Sequence, residues 1–146
     1  LQMVSNGYFI KCAVLTDSDA SKATAMRAPE LKATYDSENI LVSITKNQDT
    51  LEKEIFHCNK SKKANRTFLL EVLAQVRPNK CNDTFAIEQE NKKLDIEELF
   101  DCVKDYKSEF AFELSDLLTK YLAKVTKPFT VPEYIIDAFK FINGEE

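Results

Sequence analysis

Few side chains in this sequence are equipped for covalent chemistry. The only histidine, His57, stands beside Cys58, and an imidazole next to a thiol is the pairing that makes a cysteine nucleophilic. Adjacent residues on a helix, however, point about 100° apart, so the two are poorly placed to share a proton. A cysteine held in a disulfide also has no thiolate to offer. Cys12, Cys58, Cys81 and Cys102 complete the cysteine set, with no CxxC pair and so no zinc-ligand spacing. Tryptophan is absent, and the two glycines, Gly7 and Gly144, lie near the ends. Phosphate cradles, dinucleotide fingerprints and nucleophile elbows all require internal glycine. The acid pairs Glu97-Glu98 and Glu145-Glu146 read as solubilising surface. No catalytic constellation emerges, and nothing calls for a cofactor or a metal. The reading is a protein that is not an enzyme.

An even cysteine number combines with three N-glycosylation triplets, at Asn59-Lys-Ser61, Asn65-Arg-Thr67 and Asn82-Asp-Thr84. Together they predict a secreted, oxidised glycoprotein with acceptors at Asn59, Asn65 and Asn82. The N-terminal stretch Leu1–Asn6 lacks the charged and apolar regions of a signal peptide, so a mature chain is expected. No apolar run approaches the ~18 residues that a membrane span needs. A net charge of −4 and a pI near 5.2 speak against nucleic acid as a partner.

The elements that must position these residues read as helical throughout. The 146 residues suit one domain, residues 1–146, and 44% hydrophobic with 30% charged residues suits a core of ordinary size. Gly7–Leu15 is an apolar lead-in that periodicity leaves open between strand and helix. Asp17 or Asp19 caps an Ala/Lys-rich segment that restarts at Pro29. Ser37 opens a helix in which Ile40, Leu41, Ile44, Leu51, Ile55 and Phe56 share a face. Phe68, Leu69, Val72, Leu73 and Val76 stripe the next, which starts at Asn65 or Thr67 and is stopped by Pro78. Phe85–Lys93 is ambiguous and reads as one or two turns. Leu94–Tyr106 follows, with acids at its N-terminal end. A long segment then runs from Phe110 through Leu114, Tyr121, Leu122 and Val125 to Lys127-Pro128. Pro132 starts a last helix, and Asn143-Gly144 caps it. The expected fold is all-α, a compact arrangement of about five or six helices stapled by two disulfides.

Four cysteines permit three pairings. A helix over residues 65–76 is about 18 Å long and separates Cys58 from Cys81, too far for a bridge unless the following loop doubles back. Two antiparallel helices between Cys12 and Cys58 return the chain to one end. Cys12–Cys58 with Cys81–Cys102 is therefore favoured, each bond contributing about 3–4 kcal/mol.

Two features could meet a partner. Lys60, Lys62, Lys63 and Arg66 form the one basic patch, suited to an acidic protein, a sulfated glycan or an anionic lipid surface, though sequons flank it. Aromatic residues concentrate in the C-terminal third. Phe110 and Phe112, like Phe139 and Phe141, are two apart and so cannot share a helix face. Phe110, Phe112 and Phe141 are accordingly candidates for contact with a protein or a small apolar ligand.

Lys80-Cys-Asn-Asp-Thr-Phe-Ala86, a polar stretch, and Leu99-Phe-Asp-Cys-Val103 resemble the C-terminal cysteine-bearing helical domain of the mosquito 30-kDa salivary allergens, which include antiplatelet proteins. The likeness rests on Cys81, Phe85, Ala86, Cys102 and Val103. The family's acidic Gly/Glu/Asp-rich region is absent. The resemblance implies a secreted helical effector that binds an extracellular protein target. A helical-bundle cytokine and a carrier of a small apolar ligand are the alternative expectations.

Overall fold

Ile40, Leu41, Val42 and Ile44 lie on a strand, not on the helix that their spacing predicts. The computed structural model describes residues 10–20, 23–122 and 129–145. In it β1 (Cys12–Thr16) and β2 (Ile40–Ile44) pair in parallel, with Cys12 opposite Ile40 and Thr16 opposite Ile44. The crossover between them carries α1 (Arg27–Tyr35). A four-residue interval such as Ile40–Ile44 fits a strand of period two as well as a helix of period 3.6. The β-branched content decides for the strand. Asp36 Oδ1 accepts the Val42 N–H at 2.9 Å, and Ser37 and Ile40 exchange backbone bonds in a tight turn. Ser37 therefore belongs to a turn into β2.

Six further helices follow: α2 (Leu51–Asn59), α3 (Lys63–Val76), α4 (Asp83–Lys92), α5 (Ile96–Val103), α6 (Lys107–Leu122) and α7 (Glu133–Asn143). The protein is mostly helical, and the all-α expectation is corrected by the two-stranded sheet. Seven helices stand among the described residues where five or six were expected. The Ala/Lys-rich segment that Asp17 or Asp19 is expected to cap includes Ser21 and Lys22, outside the described residues. Asp17 Oδ1 accepts the Leu51 N–H at 2.9 Å, at the start of α2, and α1 starts after Met26 without a side-chain cap. Leu1–Asn6, Gly7, Val125, Lys127-Pro128, Glu146 and the side chains of Tyr121 and Leu122 fall outside the described residues.

The expectation of one domain meets two compact units, Leu1–Glu54 with Val131–Glu146, and Ile55–Thr130, the boundary falling inside α2. In the first unit, α7 packs on both strands and α1 on β2. A two-stranded sheet is marginal by itself, so these helices supply its stability. Ile40 and Val42 are fully buried, and Ser43 Oγ donates to the Tyr134 carbonyl at 2.7 Å. Lys46 Nζ reaches Asp137 at 2.8 Å and Glu133 at 3.1 Å, and both acids hold its ammonium above the usual lysine range.

In the second unit, α3 is the central element and packs against α4, α5 and α6. Phe68, Leu69, Val72 and Leu73 are buried along it, with Leu99 and Val103 from α5 and Phe110 and Leu114 from α6. The Phe56 and Phe110 rings sit 5.5 Å apart, tilted by 55°. The α4–α5 junction places Lys93 and Leu94 at φ 55° and 65°, a conformation that costs a side-chain-bearing residue of order 1–3 kcal/mol. Buried Gln89 holds it there: its carbonyl oxygen atoms accept the Leu94 and Asp95 N–H groups at 2.8 and 2.9 Å. Asp95 then caps α5 by accepting from Glu97 and Glu98.

None of the four cysteines is in a disulfide, which corrects the expectation of a stapled fold: packing and hydrogen bonding carry these units. The Cys58 thiol is occupied by other partners, donating to the Thr130 carbonyl at 3.1 Å.

Phe110 and Phe112 separate the core from the surface. Phe110→Ala should lower unfolding free energy by about 3–5 kcal/mol, read by chemical denaturation. Phe112→Ala should change it by less than about 0.5 kcal/mol. Equal effects would contradict this packing.

Candidate functional site

The Asn59 amide, expected as a glycan acceptor, is entirely buried at the end of α2. Its Nδ2 donates to the carbonyls of Ile55 and Thr130, each at 2.9 Å. Its Oδ1 accepts from Asn65 Nδ2 at 2.8 Å and from the Thr130 backbone N–H at 2.6 Å. Asn65 is buried too, and its Nδ2 also donates to Thr130 Oγ1 at 3.0 Å. Neither amide keeps a face open to a glycan in this fold, so both are structural. Asn82 differs. It is exposed, and its Oδ1 caps α4 by accepting the Phe85 N–H at 3.1 Å, an arrangement that leaves Nδ2 uninvolved in the cap.

The basic patch is broken up in the same way. Arg66 is a clamp within its unit. Its Nε and a terminal nitrogen reach Glu90 Oε2 at 3.1 and 3.0 Å, and the other terminal nitrogen donates to the Lys60 carbonyl at 3.0 Å. Lys62 and Lys63 remain exposed and Lys60 is half-buried. Of the aromatic candidates, Phe110 is core, which corrects its reading as a contact residue. Phe141 is half-buried with the Lys11 ammonium 5.2 Å from its ring centre. Phe112, by contrast, is 68% exposed.

Cys81 and Cys102 are both buried, with their thiols within hydrogen-bond reach of each other. The Cys81 S–H, aided by the Lys80 and Arg77 cations, pulls the Cys102 thiol down to about 7, while the neighbouring sulfur pushes Cys81 far up. Across the two units, the other buried ionisable groups are structural. Glu54 is satisfied by Asn47, whose backbone N–H and Nδ2 donate at 3.0 and 2.8 Å. The Tyr134 hydroxyl is pushed up by burial and by the nearby Asp17, Glu54 and Glu52 charges.

Each unit has an open groove among its described residues. The first, of about 560 Å³, runs along β1 and α1 past Val14, Thr16, Asp19, Arg27 and Leu31. The second, of about 360 Å³, lies between α3 and α4. The most exposed apolar face of a single element lies elsewhere, on α7. Ile136, Phe139 and Ile142 recur every three residues there, at 40%, 63% and 47% exposure, while Tyr134 and Ala138 are buried. Phe112 and Phe141 were the sequence candidates, and this stripe was not. Its signal is that residues 134–142 are apolar on every side of the helix except at Asp137 and Lys140, more than one buried face needs.

No protein-family model, curated protein or solved structure matches the chain. No helix among the described residues is long and apolar enough to cross a membrane.

Asn59→Asp removes the Nδ2 donations to Ile55, Thr130 and the Cys58 sulfur and buries a carboxylate against the Thr130 carbonyl. It should lower stability by more than about 2 kcal/mol. Asn82→Asp keeps a capping oxygen and should stay within about 0.5 kcal/mol of the parent. Thermal or urea unfolding of the two variants checks the contrast.

Proposed function

We propose that this protein is a secreted, non-enzymatic helical effector that works by binding an extracellular protein, in line with the salivary resemblance. The observation that carries the reading is the α7 stripe of Ile136, Phe139 and Ile142. Large apolar side chains aligned on one helix are how an interface is built before its partner arrives. Both grooves are open rather than enclosed, and for that reason protein binding is preferred to carriage of a small apolar ligand.

Secretion gives the Cys81 and Cys102 thiols a role. They need close only from contact to bond, losing two protons and two electrons to an oxidant such as glutathione disulfide, which leaves as two glutathione thiols. Protein recovered from a secretory host should weigh two hydrogens less for this pair and yield a digestion fragment linking Cys81 to Cys102. Free thiols at both positions would count against an oxidising destination.

Protein binding is tested with a photo-crosslinking phenylalanine analogue placed at position 139, exposed to extracellular fluid. A single crosslinked protein that also binds the purified chain, and binds Phe139→Asp at least about tenfold more weakly, is the expected outcome. No recurrent crosslink, or undiminished binding by the Asp variant, would remove α7 as the interface.

A further inference from the structure

The groove between α3 and α4 has a composition that the fold itself does not require. Its α3 wall is Thr67, Leu70, Glu71 and Ala74, and its α4 wall is Asp83, Ala86, Ile87 and Glu90. Both walls repeat at three and four residues, so each is one stripe along its helix. Ala74 and Ala86 are small, and small residues on facing ridges let a further helix approach closely. Ile87 is 65% exposed, an apolar anchor standing at the mouth of the groove. The formal charges on its lining residues are all negative, and one of them, Glu90, is already paired with Arg66. Glu71, Asp83 and Glu90 line it, and no lysine or arginine does.

Glu90 adds an independent observation. Arg66 engages only its Oε2, while Oε1 is out of reach of water and accepts no hydrogen bond. Buried oxygens of carboxylates are normally satisfied, because leaving one unmade forfeits its hydration with nothing in return.

We infer that the α3–α4 groove is the docking site for a basic amphipathic helix of a partner protein. One face of that helix lays leucine-sized side chains against Leu70, Ala74, Ala86 and Ile87. Its flanks carry lysine or arginine opposite Asp83 and Glu90. This is helix-in-groove recognition, read as anchors at three- and four-residue spacing, with charge complementarity setting orientation and rate of encounter. The inference rests on the protein-binding reading but concerns a surface in the other unit from α7.

The test uses the whole chain and a labelled model helix of leucine and lysine in amphipathic spacing, followed by fluorescence anisotropy. A helix with glutamate in place of lysine is the comparison. The leucine/lysine helix should bind with an affinity that falls as salt rises, and the leucine/glutamate helix should not bind. Ile87→Lys should weaken binding by about tenfold or more. Phe112→Lys makes the same charge change at an exposed site outside the groove and should leave binding within about twofold. Glu90→Gln, which keeps the shape and removes the charge, should weaken binding and flatten the salt dependence. Circular dichroism confirms that each variant is folded. No binding by the parent chain, equal binding of the two peptides, or equal losses in Ile87→Lys and Phe112→Lys would overturn the proposal. So would self-association at working concentration that Ile87→Lys abolishes, because a second copy would then be the occupant. The crosslink at position 139 does not involve the groove, so its failure would sink the α7 reading and leave this one standing.

Discussion

The second unit depends on one buried amide. Asn59 sits where α2 ends, and its side chain must satisfy itself without water. It does so by binding three parts of the chain together: the last turn of α2 through Ile55, the first turn of α3 through Asn65, and the returning segment through both backbone groups of Thr130. An amide suits this position because it offers donors and an acceptor on one rigid plane. A carboxylate would lack the donors and a hydroxyl would lack the reach. Phe129, one residue before Thr130, is thereby set edge-on to Phe68 at 6.0 Å. The polar latch and the aromatic contact are successive residues of one arrangement.

This constraint explains why two of the three sequons mark buried amides in this fold. Asn-x-Ser and Asn-x-Thr are triplets of common residues, and their meaning depends on whether the amide faces solvent, which a triplet does not encode. Asn59 and Asn65 are six residues apart and face each other across the α2–α3 turn. Tertiary geometry creates that relation. The basic patch dissolves for a related reason: Arg66 is drawn to Glu90, 24 residues away, so one of its four charges is spent inside the unit.

The helices of the second unit were legible because each carries an apolar stripe at 3.6-residue spacing beside caps and stops, as with Phe68–Leu73 ahead of Pro78. Asn82 and Asp95 could be read as caps from residue type alone, yet α4 was undervalued, because its stripe is short and Ile87 points outward. The sheet was not legible. Ile40 and Ile44 fit two periods at once, and the parallel partner Cys12–Thr16 is supplied by a segment too short to declare itself. Neither expected disulfide is present, and the nearness of Cys81 and Cys102 follows from the helix-length argument only as the remainder of a Cys12–Cys58 pairing. Cys12 and Cys58 were not resolved by the same reasoning, since it assumed helices where β1, α1 and β2 stand.

The two proposed surfaces follow from what the units leave over once their own demands are met. Buried polar groups across both units find partners: Glu54 in Asn47, Ser43 in the Tyr134 carbonyl, Gln89 in the α4–α5 turn. Among the described residues the buried side-chain oxygen without one is Glu90 Oε1, and it lies on a groove walled by Ala74, Ala86 and Ile87. An unmet acceptor and an exposed isoleucine carry costs of different physical origin, one electrostatic and one hydrophobic. Ile87 contributes nothing to this fold that a threonine would not supply at lower cost, and of the Glu90 carboxylate only Oε2 is used, by Arg66. The proposed basic amphipathic helix, with an apolar face and a cationic edge, would cover both. The same argument applied to α7 yields only the apolar half, which identifies a surface but not the chemistry of what covers it.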